Sequence, residues 1–169
     1  MENNKLKNEI KNFDIKSVDN ETFGKSLLMC VPKIKYICAH LDAKIYGTAL
    51  TSYAPYVSTM DQYDDIIENI VIKKQLLIVY QVFKEWYNGL SANEKTFYKY
   101  HFVKRDRSIC ADAAKNSKFR LDLHMGPMIR SFMDCLRVEL NFKERELLRN
   151  PFIYQTYMNL SNKKKRKAS

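Results

Sequence analysis

The sequence predicts an all-α fold, a single helical domain, and three observations predict it. Only four glycines and four prolines punctuate 169 residues, too few for the many tight turns of a sandwich or barrel. Apolar residues recur at spacings of three and four along much of the chain, the period of a helix with one buried stripe. Apolar side chains make up 46% of the residues and aromatics 12%, enough to bury a core and to set aside a disordered chain.

Taken in order, residues 1–21 alternate Lys, Asn and acid around Leu6, Ile10, Phe13 and Ile15. They read as a flexible N-terminal arm that could order as a short amphipathic helix. Residues 22–60 form an N-terminal helical region. There Leu27, Val31, Ile34, Ile37, Cys38, Leu41 and Ile45 make a stripe able to face a core or a second copy. Pro32 either opens that helix or kinks it, since it lacks an N–H. Residues 48–60 lose the pattern and read as a connection. A long helix is expected over 61–88, with Asp61, Asp64, Asp65 and Glu68 where negative charge complements the macrodipole. Its apolar face is broad: Ile66, Ile67, Ile70, Val71, Leu77, Ile78, Val82, Phe83 and Trp86, interrupted by Lys73 and Lys74. Asn88-Gly89 stops it, the glycine suited to a left-handed cap.

Ser91 and Glu94 have the capping-box spacing, which opens a helix carrying Phe97, Tyr98, Tyr100 and Phe102. Lys104-Arg105-Asp106-Arg107 is a charged turn, and residues 108–115 read as a short helix with Ile109, Ala113 and Ala114 inward. Ser117 is a fair N-cap for a further helix reaching residue 140. Residues 142–160 carry Pro151 and read as broken helix. Residues 161–169 have nothing to bury and read as a basic disordered tail.

The charge is uneven. Net charge is +10 with a pI near 9.4. Residues 61–90 hold three bases against five acids, 91–150 hold thirteen against eight, and the last nineteen hold five bases and no acid. Such a distribution suggests a polyanion partner, nucleic acid before anionic lipid; a solvated face is the bland alternative. Lipid attachment has little support, because no lipidation site or strongly amphipathic neighbour accompanies the tail. No apolar run approaches the roughly 18 residues of a membrane span, and the start does not read as a signal peptide. Cys30, Cys38, Cys110 and Cys135 lie far apart and read as reduced thiols. The expectation is therefore a cytoplasmic, nucleoid-associated protein with no membrane partner. Cys30, Cys38 and His40 lack the paired spacing of a zinc site, so buried thiols are expected there and no metal or cofactor. His101 reads as a half-buried core side chain.

From residue 60 the order is long helix, short cap, helix, tight turn, short Ala-containing helix, turn, helix. That is a helix-turn-helix layout, in which small residues let two helices cross closely and the second enters the major groove.

The residues Leu90-Ser91-x-x-Glu94-Lys95 followed by Tyr98-Lys99-Tyr100-His101-Phe102 resemble the opening of the DNA-binding fourth domain of bacterial sigma factors. They resemble more closely the small sigma-factor-like regulators of clostridial and phage genomes. Residues 117–132 align with that pattern without a gap, Ser117 on the cap and Met128-Ile129-Arg130-Ser131-Phe132 on the closing segment. Ser52-Tyr53 and Ile72-Lys73-Lys74-Gln75 fit upstream. The resemblance covers roughly residues 40–155 and implies a transcription regulator on double-stranded DNA, with RNA polymerase as its protein partner.

The chain departs from the pattern over 119–127, where Leu123 and His124 replace two consecutive arginines. Asp122 has the wrong sign for phosphate. Pro127 in mid-helix costs about 3 kcal/mol unless it sits in a first turn, so either the helix starts late or the recognition element is reworked. The DNA-facing candidates are Lys115, Ser117, Lys118, Arg120, His124 and Arg130. Lys104, Arg105 and Arg107 would meet phosphate from the turn. Lys163, Lys164, Lys165, Arg166 and Lys167 would meet it from the tail.

No Gly-rich phosphate loop, H-E-x-x-H, C-x-x-C or G-x-S-x-G occurs, so no catalysis is expected. The sequence thus predicts a DNA-binding transcriptional regulator within residues 61–160, monomer or homodimer. The alternative is a protein-binding module, such as an anti-host inhibitor, on a helix-turn-helix shell that no longer reads bases. The aromatic content, eleven Tyr and nine Phe, favours that second reading, since aromatics are enriched at interface cores.

Overall fold

Helix α2 (Asn20–Thr51) is the element on which the others are laid. The computed structural model describes residues 2–51, 59–103 and 121–168, and of 2–3, 48–51, 59–62 and 121–124 the backbone alone. Among the described residues the chain is helical, with no strand. Besides α2 these are α1 (Glu2–Asn12), α3 (Thr59–Asn88), α4 (Ala92–Tyr98), α5 (Leu121–Glu139) and α6 (Pro151–Ala168). Three-residue-per-turn helix forms at Ile15–Ser17 and Glu144–Arg149, and a wide π turn at Lys99–Val103 continues α4.

The apolar stripe of α2 seals the core and does not face a second copy. Phe23, Leu27, Leu28, Ile34 and Leu41 are fully buried or nearly so, packed against α3, α5 and α6. Each such side chain contributes about 1.5–3 kcal/mol. The helix starts earlier than its apolar pattern. Asp19 is its N-cap: its Oδ2 accepts from the Thr22 N–H at 3.3 Å and from the Thr22 hydroxyl. Pro32 lies inside α2 and does not open it. Gly24 marks the closest approach to α5, since a Cβ there would stand 2.9 Å from Met133 Cγ and closer still to Ile129. Cys30 and Cys38 are both buried. The Cys30 thiol donates to Thr156 Oγ1 at 3.3 Å, and burial pushes both thiols above their ordinary pKa, so they pack as apolar groups.

The broad apolar face of α3 resolves into two. Ile72, Leu76, Val79, Val82, Phe83 and Trp86 are buried, whereas Tyr63, Ile67, Ile70, Val71 and Leu77 are exposed. Lys73 ties α3 to α2 through Asp42 at 2.5 Å. Trp86 Nε1 donates to Ser131 Oγ on α5 at 3.1 Å. Gly89 departs from expectation. No described glycine has positive φ, and the helix closes instead through the Gly89 N–H to Trp86 at 3.1 Å and the Leu90 N–H to Tyr87 at 3.2 Å. The capping box at Ser91 and Glu94 forms as its spacing predicts. His101 is half-buried, its ring 4.5 Å from that of Phe97.

Both ends of the chain correct the sequence reading. The flexible arm expected over residues 1–21 is instead α1 and a following turn, with Ile10 and Val18 buried. Phe13 meets the edges of Tyr154 and Tyr157 at 5.3 and 5.9 Å. Arginines from Glu144–Arg149 hold the segment by its carbonyl ends. Arg149 donates to Ile10 and, at 3.0 Å, to Lys11, while Arg145 donates to Lys16 at 2.6 Å and to Asn20 Oδ1 at 3.0 Å. Carbonyls in a last helical turn have no partner of their own, and here they find donors from 129 or more residues away in sequence.

The basic tail expected to be disordered from residue 161 continues α6 to Ala168. Pro151 occupies the first position of this helix, where its missing N–H is harmless. Asn150 caps it. Positive side chains in the last turns complement the carbonyl end of the dipole, which is one reason helix persists there.

Candidate nucleic-acid interface

Seven of the proposed DNA contacts, Lys104, Arg105, Arg107, Lys115, Ser117, Lys118 and Arg120, lie outside the described residues, as do the short Ala-containing helix and its turn. His124 sits on α5 at a position where only the backbone is described. The remaining six are Arg130 on α5 and Lys163, Lys164, Lys165, Arg166 and Lys167 on α6.

Helix α5 runs from Leu121 to Glu139 with Pro127 inside it, so the helix does not begin late at the proline. Met128, Ile129, Phe132, Met133 and Leu136 are buried. Over residues 125–139 the outward face presents Pro127, Arg130, Ser131, Asp134, Cys135, Val138 and Glu139, one base and two acids. That face has no excess of positive charge to meet phosphate. Three of the four arginines between residues 130 and 149 also serve the fold. Arg145 and Arg149 hold the N-terminal segment, and Arg137 donates to Glu144 at 3.0 Å. Spacing alone does not separate these from surface arginines.

Arg130 and Lys164 both lie near Asp19 at the start of α2. The Asp19 carboxylate accepts from Lys164 Nζ at 3.0 Å. It also lines, with Glu21, Arg130, Asp134 and Arg137, a cavity of about 400 Å³. Two arginines against three acids make this cavity a poor phosphate site. The Thr22 hydrogen bond, followed by Lys164, holds the Asp19 carboxyl below its usual range, and the Asp19 hydrogen bond raises Lys164. Lys164 therefore secures α6 to α2.

Lys163, Lys165, Arg166 and Lys167 are exposed on the last turns of α6. Four cations on under two turns of helix concentrate positive charge at the end of α6. No acidic residue follows Glu146 in the sequence, so α6 brings no carboxylate of its own to the cluster.

The one feature of the region that sequence reasoning missed is the loop after α5. Asn141 and Phe142 have φ of 48° and 63°. The Phe142 N–H donates to Arg137 at 2.9 Å and the Asn141 N–H to Val138 at 3.2 Å, the paired bonds of a Schellman motif. Asn in the left-handed position is its only sequence signal. Val138 and Phe142 are left 73% and 77% exposed.

Among the described residues no group of His, Cys, Asp or Glu could hold a metal ion, and no helix is long and apolar enough to cross a membrane. Compared with models of known protein families, with curated proteins and with solved structures, the chain finds no match.

Proposed function

We propose that this chain is a DNA-binding transcriptional regulator that grips the phosphate backbone of duplex DNA through the basic end of α6. The observation that carries the reading is the cluster of Lys163, Lys165, Arg166 and Lys167 on a helix whose neighbour Lys164 is anchored to Asp19. A basic cluster carried on helical backbone loses less conformational entropy on meeting phosphates than a flexible tail would. The outward face of α5 over residues 125–139, with one base against two acids, favours backbone contact by α6 over base reading by α5, which needs Arg, Lys, Asn or Gln at base edges. Sigma-like promoter recognition and a polymerase contact are the finer form of the proposal and rest on the resemblance of residues 40–155.

The test is fluorescence anisotropy on duplex DNA across a salt series. The full chain is compared with a variant carrying Gln at 163, 165, 166 and 167. Lys164 is kept so that the anchor to α2 survives. The expected loss is up to about 3.6 in the slope of log affinity against log salt, at about 0.9 per phosphate. An unchanged slope defeats the reading.

A second reading, a protein-binding module, is favoured by Val138 and Phe142, two large apolar side chains held in solvent at the end of α5. Phe142 adopts a left-handed conformation that costs about 1–2 kcal/mol for a residue other than Gly. Strain of this kind collects at binding sites.

A further inference from the structure

We infer that two copies of this chain pair through the outward face of α3, antiparallel, about a two-fold axis. On the side of α3 opposite the core, Tyr63, Ile67, Ile70 and Leu77 are 63%, 58%, 48% and 44% exposed. With Lys74 between the last two, positions 63, 67, 70, 74 and 77 alternate steps of four and three, the spacing of a coiled-coil seam. Val71 widens the stripe on one flank. A contiguous row of large apolar side chains on a polar surface marks a protein interface.

Charge identifies the occupant as a second copy. Lys74 is the only charged residue in the seam, and Asp64 adjoins Tyr63 at its other end. Both are exposed. Their neighbours are engaged within the chain, Glu68 with Lys7 at 2.6 Å and Lys73 with Asp42 at 2.5 Å. A parallel pairing would set Lys74 against Lys74 of the second copy, a like-charge contact. An antiparallel two-fold that lays Ile67 on Ile70 of the second copy carries Lys74 onto the Tyr63 ring of that copy. There it gains a cation–π contact and comes beside Asp64. The arrangement is self-complementary, as a two-fold interface must be. It uses no residue of the proposed DNA-contacting cluster and stands independently of that reading.

The experiment is sedimentation velocity on the full chain without nucleic acid, over a series from about 1 to 100 μM, because dimer fraction follows concentration. The wild type is expected to dimerise. Ile70→Glu is expected to weaken the dimer roughly 100-fold or more, since the two-fold places two copies of the change in the interface. Its helical circular dichroism should be unchanged, because the side chain faces away from the core. Lys74→Glu should weaken the dimer, and adding Asp64→Lys to it should restore the dimer by reversing the pair. A wild type monomeric throughout, or a dimer that Ile70→Glu leaves intact, overturns the inference. Failure of the double charge swap to restore pairing overturns the antiparallel register.

Discussion

The Tyr98 hydroxyl donates to the Leu28 carbonyl at 3.5 Å, and Leu28 is the residue whose carbonyl would accept from position 32 in an unbroken α-helix. Pro32 has no N–H to give. A side chain from α4, seventy residues on, thus supplies a donor where the proline withholds one. Burial raises the Tyr98 hydroxyl pKa, which keeps that donor protonated.

Tyr98→Phe is therefore expected to destabilise the chain by about 1 kcal/mol, the net worth of one hydrogen bond. The loss should shrink in a Pro32→Ala background, where residue 32 offers its own N–H. A double-mutant cycle in urea measures the coupling. Equal losses in both backgrounds would separate Tyr98 from the proline.

Asn150 is fully buried and uses every polar group it has. Its Nδ2 donates to the Ile72 carbonyl at 3.2 Å and to Gln75 Oε1 at 3.1 Å, while its Oδ1 accepts from the Phe152 N–H at 3.2 Å. One residue both caps α6 and pins it to α3. Asn150→Ala is expected to cost about 2–4 kcal/mol, a lost cap plus the lost bonds to Ile72 and Gln75. Thermal denaturation followed by circular dichroism measures it; a loss under 1 kcal/mol would show that water replaces the side chain.

Asp19 makes acid stability a test of the α2 start. Its folded-state pKa lies below the ordinary 3.8. The carboxylate therefore contributes stability above about pH 4, and that contribution disappears as pH falls through the lowered value. Asp19→Ala should be less stable than the wild type at neutral pH, and the two should converge toward pH 2. A gap that persists in acid would assign the effect to helix propensity.

Phe142 tests whether the loop after α5 takes part in DNA contact. Phe142→Gly relieves the left-handed backbone and is expected to raise stability by about 1 kcal/mol in chemical denaturation. DNA affinity should be unaffected if the cluster on α6 carries binding. A fall in DNA affinity would place the α5 loop in the DNA contact.

Much of the helical order was legible in the sequence because it rests on local chemistry. The capping box of Ser91 and Glu94, the buried stripe of α2 and the helical run of α3 follow from spacing and from groups a few residues apart. The same locality explains the errors at the two ends. Residues 1–21 look too polar to fold alone, and their order depends on Tyr154, Tyr157, Arg145 and Arg149, brought there by the opposite end of the chain. The last turns have nothing apolar to bury, yet they continue a helix begun by Asn150 and Pro151 and secured by Lys164 to Asp19.

For the candidate site, composition identified the positive charge but not its distribution of labour. Net charge and the basic run were plain in the sequence by itself. Only the tertiary structure decided that Arg137, Arg145 and Arg149 serve the fold, and that Arg130 shares its surroundings with acids. It also divided the apolar residues of α3 between core and surface. Periodicity records how side chains are arranged around a helix axis. Which of them meets a neighbour depends on contacts between residues distant in sequence.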